Sequence, residues 1–248
     1  MPKSSLLKSA TSPRSGFSLI EMFVVIGIIL ILITIMFPSL GLMKGNAENS
    51  KCQANLKLLS SSVVYFYHDQ EVLPTYDAWI YRSSPIWKAF TIEANLTREW
   101  LGANYALKGP PLFEFVGDKK PYQCETFKKV KKTQPAYASL GLASGYSLNH
   151  HMGRGRKLGT LASIGDPSGR GLIGEENMWK TPGIANFPLN DNGLYVPDPN
   201  GSGTVDGLGT FHRAKDRLYR TGRANVAFAD GHVDLVDPYR TKEIFWYE

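Results

Sequence analysis

Glu21 is the residue whose position most demands an explanation. It stands within the 21 positions Phe17–Phe37, where only Ser18, Gly27 and Thr34 otherwise interrupt large aliphatic and aromatic side chains. A charge in an apolar span costs up to about 3 kcal/mol near its centre and less close to an end. A carboxylate kept there calls for a partner that neutralises it. Directly upstream, Ser15-Gly16-Phe17 is a small-residue cleavage pattern lying before the apolar core. A secretory signal carries its site after the core, and Phe37-Pro38-Ser39-Leu40-Gly41 offers no Ala-x-Ala pattern there. Cutting after Gly16 would leave Phe17 as the new N-terminus, retain the apolar helix and make Glu21 the fifth residue of the product.

Other residue groups carry weaker chemistry. Asp198, Asn200, Ser202, Thr204 and Asp206 place oxygen side chains at alternate positions, with Gly203 sixth, as in a calcium loop. The twelfth position is Gly209, however, and lacks the bidentate carboxylate, so a solvated turn is the expectation and calcium the alternative. The five histidines include the adjacent pair His150-His151 and show no Cys-x-x-Cys or His-Glu-x-x-His spacing. Glu175-Glu176 alone do not make a glycosidase pair. Without a Gly-x-Ser-x-Gly either, catalysis has no support and no enzyme is expected. Lys119, Lys120, Lys128, Lys129, Lys131 and Lys132 form one basic group, and Arg213, Lys215, Arg217, Arg220 and Arg223 a second. No stacking platform or groove-reading motif accompanies them, so subunit contacts or solvated loops are expected rather than nucleic acid.

The elements that must position these residues follow from composition. The chain has 248 residues, 43% hydrophobic and 20% charged, with 28 basic against 22 acidic side chains. Those figures exclude a disordered chain, and the concentration of apolar residues in one segment excludes a multi-span membrane protein. Half of the net charge of +6 lies in residues 1–16, which hold Lys3, Lys8 and Arg14 and no acid. A basic segment before an apolar run keeps an N-terminus cytoplasmic. Beyond Pro38, the residues Cys52, Leu56, Leu59, Val63 and Phe66 recur at spacings of four and three, one face of a helix. The pattern predicts a helix from about Phe17 to about His68, roughly 78 Å at the α-helical rise. Pro38, Gly41 and Gly45 are candidate bends. Residues 70–248 alternate short apolar runs with turn signals. Strands are predicted at Tyr146–Asn149, Gly171–Gly174, Gly193–Val196, Asn225–Ala229 and His232–Val236, the last two forming a hairpin over 225–236 about Asp230-Gly231. A two-residue turn there pairs Phe228 with Val233 and Val226 with Leu235 on the face turned to the helix. The fold class is therefore α+β: a long N-terminal helix packed on an antiparallel sheet with long loops.

Gly16-Phe17-Ser18-Leu19-Ile20-Glu21-Met22, followed by a long aliphatic stretch and Pro38, resembles the type IV prepilin and type II secretion pseudopilin family. The resemblance implies a leader at 1–16, cleavage after Gly16 and N-methylation of Phe17 by a prepilin peptidase. It implies a transmembrane and filament-core helix at 17–38, an amphipathic half at 39–69 and a head at 70–248. Glu21 would serve assembly by pairing with a neighbour's N-terminal amine. The implied partners are the peptidase, other pilin subunits, the assembly machinery and a bacterial inner membrane, with the head in the periplasm and later in a filament. No cofactor other than calcium is implied. Asn225-Val226-Ala227-Phe228-Ala229-Asp230-Gly231-His232-Val233 also resembles the C-terminal signature of large planctomycete and verrucomicrobial pilin-like proteins, in which His precedes Asp-Gly by nine residues. Here His212 precedes Asp230-Gly231 by seventeen. Display of a binding module for polysaccharide, a calcium-dependent surface or DNA on the same anchor is the alternative function. Cys52 and Cys124 lie beyond the apolar run; export would favour a disulfide between them over two buried thiols.

Overall fold

The computed structural model describes residues 16–74, 112–118, 120–133, 144–152, 159–179, 181, 193–196, 206–216 and 219–245. The chain divides into two compact units, Met1–Lys44 and Gly45–Glu248.

Helix α1 spans Leu19–Gln70, so Pro38, Gly41 and Gly45 all fall inside it. In the first unit its segment Leu19–Phe37 is long and apolar enough to cross a membrane, and none of it is buried. Nineteen residues rise about 28 Å, close to the roughly 30 Å of a bilayer's hydrocarbon. The helix stops where Glu71 adopts a left-handed backbone with φ 54° and donates its N–H to the Tyr67 carbonyl, ahead of Pro74.

In the second unit the expected helix face is the packed one. Cys52, Leu56, Leu59 and Val63 are fully buried, and Phe66 is partly so. Ser60 is buried too, its hydroxyl satisfied by the Lys57 carbonyl at 3.0 Å. Short helices follow: α2 (Phe113–Val116) and α3 (Glu125–Thr133). In α3, Thr126, Phe127 and Val130 are buried while its lysines lie outside.

The sheet contains β1 (Tyr146–Asn149), β2 (Gly171–Glu175), β3 (Gly193–Leu194), β4 (Ala224–Phe228) and β5 (Val233–Val236), in the order β3-β1-β2-β4-β5. The α+β class stands, with one refinement. β1 pairs parallel with β3, whereas β1–β2, β2–β4 and β4–β5 are antiparallel, so the sheet is mixed.

The hairpin differs from expectation by one residue of register. Ala227 faces Val233 and Val226 faces Asp234. The loop has three residues, not two: the Gly231 N–H bonds the Phe228 carbonyl at 2.9 Å, and Gly231 is left-handed at φ 87°. That is a turn closed by a glycine bulge, and glycine at the third loop position selects it. The shift reverses the faces. Val226 and Phe228 join Ile244 and Phe245 of the terminal helix α4 (Thr241–Phe245). Asn225 and Ala227 turn to α1: the Asn225 side-chain amide donates to Asn49 at 3.0 Å, and Ala227 shares a core with Leu56 and Leu59. Both faces of β4 are covered, so it is buried along its whole length.

Strand β2 carries a bulge between Gly171 and Ile173. Leu172 and Ile173 consequently both join the α1 core, while Gly171 and Gly174 both lie beneath the Phe245 ring.

Candidate functional site

At the head of α1, Ser18 precedes the first helical residue and Glu21 occupies the third position of the first turn. The Glu21 carboxylate turns back to accept the Ser18 backbone N–H at 2.7 Å. This is the carboxylate half of a capping box, which satisfies an otherwise orphaned donor. Ser18-Leu19-Ile20-Glu21 is a recognisable Ser-x-x-Glu signal for it. Phe17 is exposed, as is every large apolar side chain from Leu19 to Phe37.

A second constellation lies wholly within the unit Gly45–Glu248. Cys52 projects from the packed face of α1, and Cys124 immediately precedes α3. Glu175 ends β2, and His212 is held in an isolated bridge with Arg223. Their ligand atoms all lie within 4.8 Å of one another, and all four side chains are buried. His212 Nε2 is 2.8 Å from Glu175 Oε1 and 3.4 Å from Cys124 Sγ. The other carboxylate oxygen of Glu175 accepts the Asn225 backbone N–H at 2.7 Å. Tyr146 donates its hydroxyl to the Cys52 carbonyl at 3.4 Å, fixing the helix turn that carries the thiol.

Electrostatics inside the cluster are strong because water is excluded. A hydrogen bond with Cys124 holds the Cys52 thiol down at about 6 against the opposing effect of burial. Burial pushes Cys124 well above the ordinary thiol range. Burial would also lower His212, yet the Glu175 charge and the hydrogen bonds with Cys52 and Glu175 raise it to about 10.

Cys52 and Cys124, expected to form a bridge, are neighbours that stand as free thiols. His212 and Asp230 take different partners. His212 faces the cluster, whereas Asp230 lies in the hairpin loop and accepts from the His232 backbone N–H at 3.0 Å. His232 stacks on Phe228 at 4.3 Å. His150 packs against Tyr195 at 4.5 Å, and the His151 ring reaches the Val196 carbonyl at 3.2 Å. Glu176 meets the Ser147 hydroxyl. Of the calcium-loop candidates, Asp198, Asn200, Ser202 and Thr204 lie outside the described residues. Asp206 is buried and accepts the Tyr195 N–H at 2.9 Å.

The basic groups divide in the same way. Lys119 and Arg217 lie outside the described residues. Lys129 pairs with Glu48, and Glu125 joins Lys51 at 3.2 Å and Lys128 at 3.3 Å, so α3 is clamped to α1 by charge. In the second group, Arg220 lies 6.0 Å over the Trp179 ring. Asp216 accepts backbone N–H bonds from Arg220 and Thr221, which knots that loop. Glu175 is the member of the buried cluster that sequence spacing did not single out. Its only linear signal is a carboxylate at the end of an otherwise apolar strand.

Among known proteins, the chain is 35% identical over 69 residues to Competence protein ComGC of Halalkalibacterium halodurans, a pilin-like protein. The match covers 28% of this chain and 68% of that relative. The chain belongs to the pilin-like family. No family model matches it, and no solved structure does.

Proposed function

We propose that the chain is a structural subunit of a type IV pilus or of a secretion- or competence-type pseudopilus, acting by association without turnover. A prepilin peptidase cuts it after Gly16 and methylates Phe17. The membrane-length segment of α1 then anchors the product until it joins a filament of like subunits. The observation that carries this reading is the wholly exposed apolar segment Leu19–Phe37 with one acid, Glu21, in its first turn.

The physical logic lies in the solvent. Each large apolar side chain withdrawn from water contributes about 1.5–3 kcal/mol, so this segment belongs in lipid or among other helices. Inside lipid, one apolar helix gains nothing hydrophobic by meeting another. Specific register must come from close packing and from polar contacts. In the single subunit Glu21 is satisfied by the Ser18 N–H. Exchange of that neutral donor for a neighbour's α-ammonium replaces a bond to a dipole by an ion pair, whose attraction is strong where water is excluded, and only a correctly staggered neighbour supplies it.

N-terminal mass spectrometry of protein from its native membrane tests the processing: a chain beginning at methylated Phe17 is expected, and an intact Met1 or a cut beyond Pro38 refutes it. Glu21→Val should leave membrane insertion intact and abolish incorporation into sheared filaments. Normal incorporation of that variant contradicts the assembly role.

A further inference from the structure

We infer that Cys52, Cys124, Glu175 and His212 form a closed structural site for one zinc ion that fastens α1 to the sheet. A carboxylate and an imidazole taken fully out of water lose several kcal/mol of solvation each, and apolar residues in their places would avoid it. Pairing His212 with Glu175 offsets part of that loss. It does not explain why two thiols from distant segments converge on the same pair.

The donor set does explain it. Two sulfurs, one imidazole nitrogen and one carboxylate oxygen form a borderline-soft tetrad suited to tetrahedral zinc. Bonds of about 2.3 Å to sulfur and 2.0–2.1 Å to nitrogen, at tetrahedral angles, separate S and N donors by roughly 3.6 Å. The observed Cys124 Sγ to His212 Nε2 distance is 3.4 Å, and all the ligand atoms fall within 4.8 Å. Zinc entry opens the 2.8 Å contact between His212 and Glu175 as both turn their donor atoms to the metal. Both sulfurs bind as thiolates and the imidazole binds in its neutral form, so every proton that the thiols and His212 carry leaves to solvent. The surroundings resemble a metal's outer shell: Glu175 is oriented by the Asn225 N–H, and the His212 main chain is bonded in both directions to Arg223, at 3.0 and 2.7 Å.

Four protein donors fill a tetrahedron, and their burial leaves no position for water or substrate, so the site is structural rather than catalytic.

The test uses the full chain, purified in detergent without chelator. Elemental analysis is expected to find one zinc per chain surviving desalting, with the unoxidised thiol mass. Cys124→Ser and His212→Gln should each lower zinc content by about tenfold or more, while His232→Ala, altering an exposed histidine, should leave it unchanged. Because a ligand variant can fail through misfolding, the wild-type chain is also stripped and reloaded with cobalt. Thiolate-to-cobalt charge transfer with intense tetrahedral d–d bands is the expected spectrum. A chain free of zinc and lighter by two hydrogens, marking a Cys52–Cys124 disulfide, overturns the inference. So does a weak octahedral cobalt spectrum, or equal zinc loss in His232→Ala.

Discussion

Replacing Gly171 by alanine tests how closely α4 is seated on the sheet. A Cβ at Gly171 would lie 2.6 Å from Phe245 Cζ and 2.8 Å from Ile244 Cγ2, and one at Gly174 would lie 2.9 Å from the same Phe245 atom. Carbon atoms pack at about 3.5–4.0 Å, so the ring must retreat by roughly an ångström. Such overpacking costs about 1–3 kcal/mol, opposed by about 0.5–1 kcal/mol gained from removing a strand glycine. Gly171→Ala should therefore destabilise by up to about 2.5 kcal/mol. Phe245→Leu removes the offending ring atoms, so in that background the same change should cost at least about 0.5 kcal/mol less. The assay is urea unfolding of the detergent-solubilised chain across the four-member mutant cycle, followed by near-ultraviolet circular dichroism. Additivity within about 0.3 kcal/mol, or a stabilising Gly171→Ala, would refute the close seating.

Leu59→Ala removes a fully buried side chain from the α1 core and should cost about 2–5 kcal/mol in the same unfolding assay. Gly231→Ala should cost about 1–2 kcal/mol because the backbone there is left-handed at φ 87°, and Gly231→Asn should recover most of it. Glu125 is held below the ordinary carboxylate range: burial opposes this, but Lys51 and Lys128 outweigh it. Its contribution is present above the unfolded-state value and lost as pH falls through the lower folded-state value. About a third of the side chain is exposed, so the contribution is at most about 1 kcal/mol; wild type and Glu125→Gln should differ near neutral pH and converge in acid. A constant difference across pH would exclude the ion pairs as its source.

Much of the frame was legible before any coordinates. The long helix announces itself by its apolar run and then by the spacing of Cys52, Leu56, Leu59 and Val63. The strands announce themselves as short apolar runs between turn signals. The pairing of those strands was harder to see. Asp230-Gly231 favours a tight turn without choosing between two and three loop residues, and one residue of difference sends Val226 to the opposite face. The parallel β1–β3 contact has no local signal, because it depends on where the chain returns after β2. Glu21 was legible because a lone carboxylate among aliphatics is costly anywhere. The cluster of Cys52, Cys124, Glu175 and His212 was not, since its members come from four segments and no short-range spacing unites them.

The order of the strands also bears on how the protein is made. The packed face of α1 emerges first from the ribosome, whereas β1 begins only at Tyr146 and β4, which contributes Asn225 and Ala227 to that face, ends at Phe228. Until then a stripe of leucine and valine waits without its cover. Non-local topology of this kind folds slowly and exposes sticky intermediates. That stripe should therefore need an escort during synthesis, and a nascent chain halted before β4 should be markedly more sensitive to protease and aggregation than the finished one.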